Sequence, residues 1–214
     1  MSVFPVFNAC FVGALLVGLF CWKLWLLIVF LIYVILAILI YVQEFVEDLF
    51  HYECAFWLFI FSEVMVFGTL LTCCMYFDDS GYMNLSDPLE IPFLGCFVLL
   101  GSSITITAFH HLLEWDYSWL LLFSTVILGT GFVLLQMVEI EEIVVKIFDT
   151  RFHGSRFCTI GTHFRHVLLG VIGMLSILFV GVAKFGEYRC TVLTWYWHFV
   201  DYVWLFVYAF VYVC

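Results

Sequence analysis

The chain has 214 residues, of which 66% are hydrophobic and 11% are charged, whereas soluble domains carry roughly 25% charged residues. A soluble fold of this length has too little interior for so many apolar side chains, so most of the surface must face lipid. We therefore predict an all-α, polytopic membrane helix bundle. The net charge of −10 excludes a nucleic-acid-binding protein, which needs basic patches.

The apolar runs, separated at charged and turn-forming residues, predict one membrane domain over residues 1–214 with seven spans. These spans are 4–21, 24–42, 54–76, 92–113, 117–138, 157–182 and 193–213. A membrane-crossing helix needs about 20 residues, so the stretch 4–42 is too long for one span and short for two. We interpret it as a cramped hairpin that turns near Lys23, and a single long, tilted helix is the alternative.

Glu63 lies near the centre of the third span, within the segment LFIFSEVMVFG at 58–68. An acidic side chain at the centre of a membrane helix costs roughly 2.5–3.5 kcal/mol on insertion scales, so this residue requires a specific explanation. One hypothesis is that Glu63 exchanges protons or anchors a proton path. The alternative is a carboxyl group that is hydrogen-bonded to a neighbouring helix.

The fourth span begins beside Pro92, whose missing N–H costs nothing in the first turn of a helix. His110, His111 and Glu114 mark the end of this span. His110 and Glu114 have the i, i+4 spacing that places two side chains on one face of a helix.

The fifth span ends at Glu139, which begins the acidic run Glu139, Glu141 and Glu142. Such a run is typical of a solvated loop. We therefore predict that residues 139–156 form the most polar connection between two spans.

In the sixth span, His163 and His166 have i, i+3 spacing with Arg165 between them. This spacing can present two imidazoles to a metal or a haem, but histidine in a helix bundle is more often a hydrogen-bonded packing residue. The nine cysteines contain no C-x-x-C pair, so neither a zinc knuckle nor a redox dithiol is indicated. No metal site is predicted.

The last span contains TWYWHFVDYVWLF at 194–206, in which Trp195, His198 and Asp201 recur one helical turn apart. Tryptophan rings favour the membrane–water interface, and His198 and Asp201 are spaced to pair with each other. We interpret this segment as a mixture of an interfacial anchor and a contact with lipid headgroups or with another subunit.

Five segments, in this order along residues 54–214, together resemble the subunit III family of haem–copper cytochrome c oxidases. The segments are LFIFSEVMVF at 58–67, DPLEIPFLGCFVLLGSSITITAFHHLLE at 87–114, GTGFVLLQMVEI at 129–140, GTHFRH at 161–166 and WYWHFVDYVWLFVY at 195–208. Individually a lone Glu or a His pair is a weak signal, but five ordered motifs are specific. GTHFRH departs from the family, because Phe164 and Arg165 stand where glycine and a small apolar residue are usual.

The resemblance implies seven helices divided two plus five by a lipid-filled cleft, with the first two helices shortened in this chain. It implies a non-catalytic subunit of cytochrome c oxidase, respiratory complex IV, which reduces oxygen to water and translocates protons. This subunit would stabilise subunit I, support proton uptake and hold cleft phospholipids. Its partners would be subunits I and II, accessory subunits and membrane lipids, and the haem and copper would belong to partner subunits.

At the level of residues, the resemblance implies that Glu63 is the family's carbodiimide-reactive carboxyl group, beside a proton path. No residue is predicted to be catalytic. Lipid or subunit contacts are predicted at His110, His111, Glu114, Glu139, His163, His166, Lys184, Trp195, His198 and Asp201.

The expected location is the mitochondrial inner membrane, as a multi-pass protein, with a bacterial plasma membrane as the alternative. Two other functions stay open from the sequence. One is subunit III of a quinol oxidase, and the other is a small proton-coupled transporter that uses Glu63.

Overall fold

A computed structural model of the protein describes residues 10–13, 15, 17–18, 21, 25, 28–37, 53–78, 85–143 and 145–213. The chain divides into two compact units, Met1–His51 and Tyr52–Cys214. The regular structure of the described residues is helical throughout, with no strand, which confirms the all-α fold class.

The first unit contains the apolar helix Ile28–Ala37. The ring of Phe11 stacks on the ring of Tyr33, with centroids 3.7 Å apart. Two residues 22 positions apart would be separated by about 33 Å in one continuous helix, so one straight helix does not join them. The division of 4–42 into two spans stays a prediction. The predicted spans 4–21 and 24–42 lie partly outside the described residues, and the predicted turn at Lys23 lies outside them.

The second unit is built from consecutive helices, numbered here from Glu53. They are α1 Glu53–Tyr76, α2 Ile91–His111, α3 Ser118–Glu142, α4 Arg151–Val180, the single turn α5 Val182–Phe185, α6 Glu187–Val207 and a π-helix, Tyr208–Val213. Among the described residues, α1 to α4 are long and apolar enough to cross a membrane. In lipid a helix satisfies its own backbone hydrogen bonds, so the unit is an all-helical membrane bundle.

Helices α4 and α6 each begin six residues before the predicted spans at 157 and 193. The start of α4 is set by Thr150, whose hydroxyl oxygen accepts a hydrogen bond from the backbone N–H of His153 at 3.1 Å. Positive φ angles of 85° at Gly181 and 92° at Gly186 separate α4, α5 and α6, a conformation that glycine adopts readily. The predicted polar connection 139–156 is therefore shorter in the structure, running from residue 143 to residue 150.

The core of the bundle is centred on Trp197 of α6, which is fully buried. Its indole N–H donates to the hydroxyl of Ser102 on α2 at 2.9 Å. Glycines on α3 and α4 make room for the ring, because a Cβ added at Gly129 would lie 2.9 Å from Trp197 Cη2, and one added at Gly170 would lie 2.7 Å from Cε3. Small residues allow helix backbones to approach closely in lipid.

Helix α1 lies at the periphery of the unit, since its buried residues are Phe67 and Cys74. Its hydroxyl groups bond to backbone carbonyls one turn earlier in the same helix, at Ser62, Thr69 and Thr72. This local bonding satisfies polar groups that would otherwise face lipid without a partner. Most of the α1 surface is thus apolar and open to lipid or to another protein.

The bundle has two ends, which we name the α5 end and the Asp78 end. The α5 end contains the start of α1, the turn from α2 to α3, and α5 itself. The Asp78 end contains the end of α1, the start of α2, the end of α3 and the start of α4.

Candidate functional site

Glu63 and His166 form a polar pair between α1 and α4. The Oε2 atom of Glu63 lies 2.8 Å from Nε2 of His166, and the two side chains are 19% and 4% exposed. Glu63 is ten residues from the start of α1 and thirteen from its end, or about 15 and 20 Å along the axis. The carboxyl group is therefore hydrogen-bonded to a neighbouring helix near the middle of the apolar bundle.

The second ring nitrogen of His166 determines how many protons the pair holds. Nδ1 lies 2.7 Å from the backbone oxygen of Thr162, and because a carbonyl can only accept, Nδ1 carries a hydrogen and donates it. The contact between Nε2 and Glu63 then contains one proton. Either a neutral carboxyl group donates to neutral imidazole, or imidazolium donates to carboxylate, and the pair has zero net charge in both states.

Aromatic side chains surround this pair. Phe67 lies one turn beyond Glu63 on α1, and its ring meets that of His166 edge-on with centroids 5.2 Å apart. Tyr196 of α6 donates its hydroxyl to the backbone oxygen of His166 at 3.2 Å. The side chain of Glu63 is 19% exposed, so part of it stays accessible from outside the pair.

His163 occupies a separate aromatic enclosure and is fully buried. Its Nε2 donates to the backbone oxygen of Val200 at 3.2 Å, and the rings of Trp204 and Phe132 lie with centroids 4.9 and 5.7 Å away. The prediction that His163 contacts lipid or another subunit is wrong, because its own chain encloses it. His163 and His166 are directed to different partners, and the described residues contain no group of three or more metal-ligating side chains.

His198 bridges α6 to α2 through two hydroxyl groups. Its Nδ1 lies 2.8 Å from Oγ of Ser103, and its Nε2 lies 3.2 Å from Oγ1 of Thr107. The proposed pairing of His198 with Asp201 is therefore wrong, because both ring nitrogens are engaged by α2. Asp201 is buried, which also removes it from contact with lipid, whereas His198 is half-buried and stays at the surface between the helices.

Glu139 lies inside α3 and is only 2% exposed. The hydroxyl of Ser86 donates to its Oε1 at 3.0 Å, and the amide of Gln136, one turn earlier, donates to its Oε2. The solvated-loop interpretation is wrong for Glu139, and so is its predicted contact with lipid or another subunit. The helix continues past it to Glu142, and the neighbouring polar groups compensate for its burial.

Three of the predicted contact residues lie where α2 ends. His110 Nε2 is 3.1 Å from the hydroxyl oxygen of Thr191 at the start of α6. His111 and Glu114 are exposed beside an open pocket of about 510 Å³. The predicted i, i+4 face of His110 and Glu114 is wrong, because α2 ends at His111 and Glu114 lies in the turn that follows.

Lys184 and Trp195 are exposed at the same end of the bundle. The Trp195 ring lies against the rings of Trp57 and Phe56 from α1, with centroids 5.4 and 6.0 Å apart. This aromatic cluster at the ends of two membrane helices has the position expected for an interfacial anchor.

Arg156 was not among the predicted site residues, because it falls within the predicted polar connection 139–156. Arg156 is 1% exposed, with Nη2 3.4 Å from Oδ1 of Asp78 and its guanidinium 4.0 Å from the centroid of the Phe152 ring. A pattern in the sequence could have found it. Residues 152, 156, 159, 163 and 166 have the three- and four-residue spacing of one helix face, and this face is the one that α4 turns inward.

Comparison with known proteins identifies the family of this membrane bundle. A sequence profile of the family described as cytochrome c oxidase subunit III matches residues 36–214. The cytochrome c oxidase subunit 3 of Dugong dugon is 35% identical over 175 residues, which cover 78% of this chain and 65% of that protein.

Two further relatives carry the same name, from Loxodonta africana and Locusta migratoria. They are 40% identical over 134 residues and 38% identical over 133 residues, each match covering 59% of this chain and 51% of the relative. This chain thus spans between one half and two thirds of the length of these relatives. Because the profile covers most of its residues, the chain belongs to the cytochrome c oxidase subunit III family.

Proposed function

We propose that this chain is the non-redox subunit III of a cytochrome c oxidase and that the Glu63–His166 pair assists proton uptake by the complex. The observation that carries the proposal is the 2.8 Å contact between these side chains near the middle of the bundle. Membership of the subunit III family supports the assignment to an oxidase.

The chemistry of the pair suits transient storage of a proton. One proton lies between Nε2 and Oε2, while Nδ1 is held by the Thr162 carbonyl. A second proton taken up from outside gives the pair a positive charge, and its release restores neutrality. Carboxyl and imidazole groups are common proton donors and acceptors in proteins. The Phe67 ring packs edge-on against the imidazole of the pair.

The proposal places the redox chemistry in other subunits. His163 is hydrogen-bonded to the backbone oxygen of Val200, and His166 is hydrogen-bonded to Glu63. Because these contacts occupy the Nε2 atom of each ring, haem and copper would be held by partner subunits. These partners would include subunits I and II and accessory subunits. Structural phospholipids would meet the α5 end through Lys184 and Trp195, and the complex would lie in the mitochondrial inner membrane.

The test is Glu63→Gln in the assembled oxidase. Glutamine keeps the shape of the side chain and can still hydrogen-bond to His166, but it cannot exchange a proton. We expect the initial rate of oxygen reduction to be largely retained, since no redox centre is lost. The rate of proton uptake and the number of turnovers before inactivation should fall.

A neighbouring substitution, Ser62→Ala, serves as the matched control. Among the described residues, the Ser62 hydroxyl bonds only to the backbone oxygen of Phe59 in its own helix. It should change none of these quantities. Near-complete loss of oxygen reduction in Glu63→Gln would show that Glu63 does more than assist uptake. Unchanged proton uptake and unchanged turnover lifetime would refute its role altogether.

A further inference from the structure

Arg165 is an exposed cation on an otherwise apolar face of α4. The residues that follow it on this face, Leu168, Leu169 and Ile172, are all exposed hydrophobic side chains. One turn before it, Gly161 also faces outward, and a Cβ added there would meet no atom within 4 Å. The face therefore combines a guanidinium with an open, shallow groove that another helix could approach closely.

Although its side chain is exposed, Arg165 lies far from both ends of the bundle along the axis of α4. It is adjacent to His166, which contacts Glu63 near the centre of α1. Arg165 is nine positions from Arg156 at the Asp78 end and fifteen from Val180 at the other end of α4, or about 14 and 22 Å along the axis. Both distances exceed the length of an arginine side chain, so its charge cannot readily reach lipid headgroups at either end.

The described part of the chain offers Arg165 no ion-pair partner. The two ion pairs among the described residues join Arg156 to Asp78 and His166 to Glu63, and neither includes Arg165. An arginine at the centre of a membrane helix costs roughly 2.5–3.5 kcal/mol on insertion scales. Such a charge in an apolar surface is stabilised best by an anion brought to the same depth.

We propose that the α4 face defined by Gly161, Arg165, Leu169 and Ile172 docks a transmembrane helix of a partner subunit, and that this helix carries an Asp or Glu side chain opposite Arg165. A carboxylate can meet the guanidinium through two parallel hydrogen bonds. The apolar side chains of the face would pack beside this pair and exclude lipid. This inference rests on the proposed function only in assuming that the chain works within a multisubunit complex.

The first test is photo-crosslinking in the intact complex, with a photoreactive amino acid at Leu169. We expect the crosslinked peptide to come from a membrane helix of another subunit and to contain an Asp or Glu within two turns of the crosslink. Crosslinks that form only to lipid, only to residues 1–51 of this chain, or to a helix without an acidic residue would overturn the proposal.

The second test removes the charge with Arg165→Leu. If the acid lies opposite, this change leaves the acid unpaired, and the amount of partner subunit that co-purifies in mild detergent should fall at least tenfold. Changing the identified acid to leucine as well should restore the amount of partner subunit, and Arg165→Lys should keep that amount unchanged. Arg151→Gln is the control, because Arg151 is an exposed arginine at the end of the same helix. Full retention of all subunits in Arg165→Leu would contradict the proposal.

The two proposals fail in distinguishable ways. Absence of a haem–copper subunit from the purified complex would remove the proposed oxidase function, whatever the crosslink at Leu169 shows. A complete oxidase with only lipid at Leu169 would remove the docking inference alone.

Discussion

At the scale of single residues, Glu63 and Glu139 are two acids of the bundle that are stabilised by different partners. Glu63 meets an imidazole from another helix, whereas Glu139 receives a hydroxyl and an amide donor. An imidazole can exchange a proton with its partner, but a serine hydroxyl and a glutamine amide only donate hydrogen bonds to it. This difference supports the proposal that Glu63 exchanges protons and that Glu139 has a structural role.

This difference predicts selective modification by a hydrophobic carbodiimide, which reacts with protonated carboxyl groups. Glu63 should be modified first, because its side chain is 19% exposed. Glu139 is 2% exposed and should stay unmodified, so it provides an internal control. Peptide mass spectrometry of the intact complex measures both sites. Equal modification of the two residues, or modification of Glu139 alone, would contradict the assignment.

The sequence could identify Glu63 because a single acid interrupts a long apolar run. It could not identify His166 as the partner, since the two residues are 103 positions apart and several other histidines were equally available. For the same reason it paired His198 with the nearby Asp201, whereas the structure joins His198 to hydroxyl groups on α2. Contacts between helices depend on rotation and packing, which the spacing within one helix does not specify.

At the scale of helices, close packing around Trp197 determines which glycines are required. Gly129→Ala should destabilise the bundle by about 1–3 kcal/mol, the usual cost of overpacking a core, because the added methyl group would lie 2.9 Å from both Trp197 and Val171. Gly131→Ala, two positions away, is the matched control, since a Cβ there would meet no atom within 4 Å. Thermal unfolding in the same detergent compares them, and equal stability of the two variants would be inconsistent with this packing.

The start of α4 provides a second prediction for a helix. Thr150→Ala removes the hydroxyl that accepts from the His153 N–H, at a cost of about 1 kcal/mol for a lost N-cap. Hydrogen exchange of the first-turn amides of α4 should become roughly fivefold faster, which corresponds to that energy. Thr150→Ser keeps the acceptor and should leave exchange unchanged. Faster exchange in both variants would show that the hydroxyl is not the cap.

The apolar runs of the sequence located the long helices to within a few residues, because a membrane span needs about 20 apolar residues. They failed at the first turns of α4, where polar residues such as Arg156 and His153 face the inside of the bundle. Their low hydropathy predicts a loop. Their burial instead depends on partners in other helices, as Arg156 depends on Asp78 just after the end of α1. The helix boundaries therefore reflect caps and tertiary contacts that hydropathy alone does not include.

At the scale of the whole molecule, the membrane bundle of residues 52–214 carries the five ordered motifs, and the family profile extends over 36–214. The bundle contains an internal acid–base pair, and the apolar outer face of α4 carries one exposed cation, Arg165. Both features are expected of a subunit that works beside other membrane proteins. The seven-span count and the cleft between the first two helices and the rest stay predictions.

The most direct test of the account is purification of the tagged chain from its native membranes in mild detergent. We predict a complex that contains a haem–copper subunit in a one-to-one ratio with this chain and that reduces oxygen with electrons from reduced cytochrome c. Oxidation of quinol in place of cytochrome c would identify a quinol oxidase subunit instead. A chain that purifies without any redox subunit, and that conducts protons alone in liposomes, would contradict the account.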